Sequence, residues 1–230
     1  MKILSISDVH SETNENFTQY LKNNKDIDLI LINGDITNFG PLEFVSEFIH
    51  SIFELDFDVF AVPGNCDPNG ICNAITDTEA VCLHNQIIAY NDVIIFGFGG
   101  SNPTPFNTPG EFHDQHLYDN VKELFSEYEY LANDEVPKIK ILLTHAPPLN
   151  TEADKIPDGV HVGSKALRDV IEEFKPDINL CGHIHEARSI DKIGDTTIVN
   201  PGMLKDNHAC LITIDEETLE YNVELISFLE

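Results

Sequence analysis

Apolar residues along this chain come in short, dense runs rather than in long stretches or strict alternation. The runs at 2–7, 28–33, 57–62, 140–144 and 177–181 are nearly continuous Ile, Leu, Val and Phe. Strands read this way when both faces are covered, because neither face then carries polar side chains. Further strands are predicted at 87–90, 93–98, 187–192, 196–200, 209–215 and 220–227. Helical patterns lie between them, at 14–23, 42–53, 114–131 and 164–174. Ser164 can accept a hydrogen bond from an orphan amide of its helix's first turn, and Pro176 closes that helix.

The opening order, strand–helix–strand–helix–strand, is an α/β start. The last four strands have little between them, and Ile193-Gly194-Asp195 predicts a tight hairpin turn. The simplest assembly is an α/β sandwich of the α+β type, with two central mixed β-sheets flanked by helices, as one domain over residues 1–230. Two segments, 99–112 and 147–163, carry no periodicity. Loops of this length in a compact domain are often binding loops or lids.

Composition narrows the partners. Hydrophobic residues make up 42%, which fits a folded globule, and the formal net charge is −27. Only two arginines are present, Arg168 and Arg188. Both facts argue against a nucleic-acid binder, which needs a basic face, and against anionic membranes. No run of about 18 apolar residues exists, so no membrane-spanning helix is expected. The five cysteines are odd in number and lack C-x-x-C spacing, which reads as reduced thiols and a cytoplasmic location.

Chemistry enters where the strands end. Asp8-Val9-His10 follows the first run, Gly34-Asp35 the second and Gly64-Asn65-Cys66-Asp67 the third. His145 follows 141–144, and Gly182-His183-Ile184-His185 follows 178–181. Ligands of α/β sheets gather beyond the carboxyl ends of the strands, so all five clusters are expected at one edge. Carboxylate, amide and imidazole donors suit manganese, iron, zinc or nickel. Seven donors are too many for one ion, and two ions sharing a carboxylate fit the number.

The order D-x-H, G-D, G-N-x-D, H, G-H-x-H resembles the calcineurin-like metallophosphoesterase family, and its motifs span Asp8 to His185. The resemblance implies a metallo-dependent phosphatase-like fold over essentially the whole chain. It implies that Asp8, His10, Asp35 and His185 hold one ion and that Asp35, Asn65, His145 and His183 hold the other, with Asp35 bridging. Manganese is the leading candidate, with iron, zinc and nickel as alternatives. It further implies attack on phosphorus by a hydroxide between the ions, with Asp35, Asn65 and His145 as catalytic residues. Two ions against Asp8, Asp35 and one hydroxide leave the site near about +1, which a monoanionic phosphodiester would nearly neutralise.

The chain departs from the family where many members carry histidine in G-N-H-D/E. It has Cys66, a weak donor that cannot act as an imidazolium. The G-N-C-D subset resembles phosphodiesterases or slow broad-specificity phosphatases, so a phosphodiesterase acting on a small phosphoester is expected. The rivals are a phosphomonoesterase or pyrophosphatase of the same fold, a nuclease, and a non-catalytic scaffold for protein contacts. Asp67 reads as a turn cap. Asn65, Cys66, His161 and Arg188 are the candidate substrate contacts, and His50, His84, His113, His116 and His208 read as surface or loop residues. The resemblance also leaves room for a homodimer.

Overall fold

A computed structural model describes residues 1–131 and 138–229. The chain begins β1 (Lys2–Ile6), α1 (Glu15–Asn23), β2 (Leu29–Asn33), α2 (Glu43–Phe53), β3 (Asp58–Val62), α3 (Ile71–Thr76) and β4 (Val81–Cys82). It continues with β5 (Gln86–Tyr90), β6 (Val93–Phe98), α4 (Asp114–Leu131), β7 (Ile139–Thr144), α5 (Lys165–Phe174) and β8 (Ile178–Leu180). It closes with β9 (Ser189–Ile193), β10 (Thr196–Asn200), β11 (His208–Ile214) and β12 (Tyr221–Ser227).

These strands form two mixed six-stranded sheets, ordered β12-β11-β1-β2-β3-β4 and β5-β6-β7-β8-β10-β9. In the first, β1 to β4 run parallel, and β11 and β12 are added antiparallel. In the second, β6, β7, β8 and β10 run parallel between antiparallel edges β5 and β9.

The two-sided burial explains the dense apolar runs. Leu29 and Leu31 of β2 join Ile3, Val62, Ile95, Ile141 and Leu143 in a core between the sheets. Ile30 and Ile32 of the same strand point the other way, against Phe17 of α1 and Val45, Phe48 and Ile49 of α2. Leu142 of β7 likewise packs outward with Phe96, Val121, Phe125 and Val170 under α4 and α5. All of these side chains are at most 5% exposed. Each is worth about 1.5–3 kcal/mol relative to leaving it in water.

Predicted elements match the observed ones to within a residue or two at their ends. Asn14 is a cap rather than a helical residue, since its side chain accepts from Phe17 N. Ser164 caps α5 by accepting from Leu167 N. Ile193 pairs with Thr196, so Gly194-Asp195 is a two-residue turn, with Gly194 at φ 59. Two elements escaped the sequence pattern. The six-residue α3 is too short to show a helical period, and β4 has two residues. The strand expected from 187 starts at Ser189, because residues after Gly182 first turn back, with Ile184 N bonded to Gly182 O and Ala187 N to Ile184 O.

Candidate metal centre

Parallel pairing puts the carboxyl ends of β1, β2 and β3 on one edge of their sheet, and those of β7 and β8 on one edge of the other. The chain turns sharply as it leaves. Asp8, His10, Asp35 and His183 have φ of 55, 50, 49 and 68. Residues with side chains rarely adopt this left-handed backbone, and such strain concentrates at functional sites. It is held here by cross-bracing: Asp8 N donates to Gly34 O, and His10 N to Asp35 O. Packing is tight enough to require glycine at two motif positions. A Cβ at Gly64 would lie 2.0 Å from Asp35 Oδ1, and one at Gly182 would lie 1.8 Å from Ser7 Oγ.

Four of the donors, Asp8, Asp35, Asn65 and His145, share one design, with one end fixed by the chain and the other facing the cluster. Asp8 Oδ2 accepts from Ser7 Oγ at 2.6 Å and from His183 N at 3.2 Å. Asp8 Oδ1 is buried with no hydrogen-bond partner. Asp35 Oδ1 accepts from Cys66 N at 2.7 Å, while Oδ2 lies 3.6 Å from His10 Nε2 and 3.4 Å from His145 Nε2. His145 Nδ1 donates to Asn33 O at 2.7 Å, which leaves Nε2 facing the cluster. Asn65 donates from Nδ2 to Thr108 Oγ1, and its Oδ1 lies 2.9 Å from His145 Nε2.

Two groups emerge. Asp8, His10 and His185 have ligand atoms within 4.8 Å of one another, as do Asp8, Asp35 and His145. His10 Nε2 and His185 Nε2 are 3.1 Å apart, and His185 Nε2 lies 3.3 Å from Asp8 Oδ1. Atoms bound at 2.0–2.1 Å around a tetrahedral ion are separated by about 3.3 Å, so the spacing fits a cation. His183 packs edge-on against His145, with ring centroids 5.1 Å apart.

The electrostatics favour positive charge at this spot. Burial works against a charged His145, yet Asp35 and Asp8 outweigh it and take the ring up to about 9. Burial, joined by the neighbouring His145, pushes His183 down to about 4. Burial would raise Asp8 and Asp35, but the surrounding imidazoles hold both below the usual carboxylate range.

Of the candidate substrate contacts, Asn65 and Cys66 lie in the cluster. Cys66 Sγ comes within 4.8 Å of ligand atoms of His10 and Asp35, so a thiol borders the donor set. Burial and Asp35 push that thiol up, which keeps it neutral. His161 and Arg188 are directed elsewhere. His161 Nδ1 bonds buried Asp154 at 2.7 Å, which closes the loop at 147–163. Arg188, expected to reach a phosphate, donates from Nε to Pro201 O and from a terminal nitrogen to Ile226 O. It thus ties the turn after β10 to β12. Asp67 accepts from Gly64 N, Ile36 N, Thr37 N and Thr37 Oγ1, and so pins the G-N-C-D turn to the loop after Asp35. His84 lies in the loop between β4 and β5, as expected, but is partly buried beside Phe98 and Phe112, and burial pushes it down.

Several supporting residues had no sequence signal strong enough to single them out. Ser7 and Asn33 hold Asp8 and His145 from within buried strand ends. Thr108 and Glu111 lie in the proline-rich loop. Glu111 Oε1 accepts from Thr108 N and Thr108 Oγ1. That hydroxyl has one proton, committed to Glu111, so toward Asn65 it can only accept. The Asn65 amide nitrogen is therefore turned to Thr108 and its oxygen to the cluster. A Thr-x-x-Glu spacing was the sole clue.

The family model for calcineurin-like phosphoesterases matches residues 1–187. The chain belongs to the calcineurin-like phosphoesterase family. Its members are metal-dependent hydrolases of phosphoester bonds, and the Asp/His clusters here are suited to metal. Over 208 residues the chain is 36% identical to an uncharacterized protein, MJ1162, of Methanocaldococcus jannaschii, covering 87% of this chain and 88% of the relative. Among solved structures, TT1561 of Thermus thermophilus is similar, with a TM-score of 0.73 at 16% identity, covering 99% of this chain and 98% of that one. The phosphopantetheinyl hydrolase PptH of Mycobacterium tuberculosis has a TM-score of 0.57 at 12% identity, covering 89% and 90%. These two likenesses establish the fold. Among the described residues, no helix is long and apolar enough to cross a membrane.

Proposed function

We propose that the protein is a two-ion phosphodiesterase acting on a small phosphoester. One ion is held by Asp8, His10, Asp35 and His185, and the other by Asp35, Asn65, His145 and His183. Manganese is the first choice of metal. The observation that carries this reading is the half-fixed arrangement of Asp8, Asp35, Asn65 and His145, above all buried Asp8 Oδ1, which has no hydrogen-bond partner and faces the imidazoles of His10 and His185. Two divalent ions bound there supply Lewis-acid charge and lower the pKa of a bound water toward neutrality.

The chain's own groups do the rest. Asp35 is central to both sets, with Oδ2 facing His10 and His145 and Oδ1 locked by Cys66 N. The Asn33 carbonyl holds the Nδ1 proton of His145, so Nε2 would present a lone pair to a metal once binding displaces its own proton. Asn65 and His145 flank the space where a phosphate would sit. Cys66 stands where many relatives have histidine, and its neutral thiol is a poor proton donor to a leaving oxygen. Esters that leave without protonation are favoured, and so are monoanionic diesters over dianionic monoesters.

The test is to load metal-free protein with Mn²⁺, measure the stoichiometry by calorimetry, and compare bis(4-nitrophenyl) phosphate with 4-nitrophenyl phosphate. Two bound ions and faster diester turnover are expected. No hydrolysis with Mn²⁺, Fe²⁺, Zn²⁺ or Ni²⁺ would overturn the reading.

A further inference from the structure

Both arginines of this protein are engaged away from the metal cluster. Arg168 donates to Glu172, Leu149 O and Asn150 O, and Arg188 to Pro201 O and Ile226 O. In the two long loops the one lysine, Lys155, pairs with Glu152. Beyond bound ions, little is left to grip a second anionic group, and a net charge of −27 repels one. Binding energy for the rest of a substrate must come from apolar surface.

Such surface lies beside the cluster. Five large apolar side chains are strongly exposed among the described residues. Two are aromatic, Phe39 at 58% and Phe106 at 79%, and a third, Val160, is 54% exposed. These three sit on loops that follow β2, β6 and β7, whose carboxyl ends form the edge bearing the cluster. The other two, Ile190 and Leu229, lie on β9 and after β12.

Phe39 is bonded to the Asn65–Cys66 turn, and Phe106 belongs to a loop that is. Phe39 N donates to Cys66 O at 3.1 Å. Its φ of 62 is an outlier for a bulky residue, maintained by Ser11, whose Oγ accepts from Asn38 N and donates to Gly40 O. Phe106 is at the tip of a turn that Glu111 ties down. Phe106 N donates to Thr104 Oγ1, and the hydroxyls of Thr104 and Thr108 both donate to Glu111. Two residues on, Thr108 touches the Asn65 amide, and Gly110 N donates to Asn65 O. Exposed rings on backbone already held in place lose little further freedom when a ligand packs on them. The loop at 147–163 joins this rim through Asn102 Nδ2, which donates to Val162 O.

We propose that Phe39 and Phe106 form a subsite for the organic group esterified to the phosphate, with Val160 as a third wall, and that this group is a planar aromatic body such as a nucleobase or an aryl ring. This deepens the phosphodiesterase reading and rests on it. A compact polyol phosphate would leave both rings in water, and a second anionic group would meet no arginine and, at this edge, only Lys205, which already faces Glu12 at 3.9 Å.

The experiment is calorimetric binding to the Zn²⁺-loaded full-length protein, with thymidine 5′-monophosphate, ribose 5-phosphate and inorganic phosphate as probes. The nucleotide is expected to bind about tenfold or more tighter than the sugar phosphate, the scale of one base–aromatic stack. Phe39→Ala and Phe106→Ala should each erase most of that gap and leave the other two probes unchanged. Phe106→Tyr, which keeps the stack, should preserve it. Equal binding of nucleotide and sugar phosphate, or alanine variants that weaken all three probes alike, overturns the subsite while metal-dependent phosphate binding leaves the two-ion reading standing. Failure of all three probes, with or without metal, takes down both.

Discussion

The functional residues here work in pairs, one side chain aiming another. Asp35 Oδ1 is held by a backbone amide so that Oδ2 can face two imidazoles. On the proposed ligand sets, Asp35→Asn removes the shared charge. Turnover should fall about 100-fold or more and both ions should bind more weakly, as calorimetry with Mn²⁺ would reveal. Thr108 aims Asn65 in the same way. Thr108→Val keeps the shape but offers no acceptor, so the amide can flip. One of the two ions should lose about 10–100-fold in affinity, with the fold intact by circular dichroism.

Glu111 gives a pH prediction at the same scale. Some burial works to raise it, but the hydroxyls and amides of Thr104 and Thr108 reverse that and hold it at about 2, below the ordinary 4.5. A carboxylate with a depressed folded value stabilises the fold fully above its unfolded value, and that share is lost as pH falls through the folded one. The stability gap between the parent and Glu111→Gln should therefore be full above about 4.5 and should shrink from there toward about 2. Thermal melts of both proteins across that window would measure it.

At the scale of elements, strand ends and helix caps decide where the donors stand. The parallel strands deliver Asp8, Asp35 and Asn65 to one edge simply by ending together. Ser164 does two jobs: it caps α5 through Leu167 N and donates to Asp114 Oδ1 at the start of α4. Ser164→Ala should cost about 1 kcal/mol from the cap and somewhat more for the inter-helix bond, read as a shift in the urea midpoint. Because α4 and α5 lie outside the second sheet, away from Asp35, activity per folded molecule should hold.

At the scale of the whole molecule, the protein places two carboxylates and several imidazoles in one buried spot while carrying a net charge of −27. The proposed divalent ions would reduce the overall negative charge, and their binding to the folded state would stabilise it by mass action. At an ion concentration about 100 times its Kd, one site contributes about 2.7 kcal/mol. For a chain of this size, stripping that ion with a chelator should lower the melting temperature by about 5–10 °C. An unchanged melt on chelation would argue against a metal centre coupled to the fold.

Much of this was legible in one dimension. Unbroken apolar runs such as Leu29–Ile32 require a layer on each side, which gives sheets between helices. The donor types at the strand ends, in family order, announce a metal site because few other chemistries use Asp, His and Asn together there. What one dimension could not carry is direction. Arg188 and His161 stand near motif residues, yet hydrogen bonds turn them to Ile226, Pro201 and Asp154. Thr108 and Glu111 are ordinary loop residues until folding lays Thr108, held by Glu111, on Asn65, 43 positions away. Phe39 and Phe106 carry no mark in the sequence pattern, and only the turns that carry them leave them in water. The chain alone determined which chemistry is available and on which edge, because periodicity and covalent order are local. Tertiary structure decided which atoms face one another, because orientation depends on partners brought together only by packing.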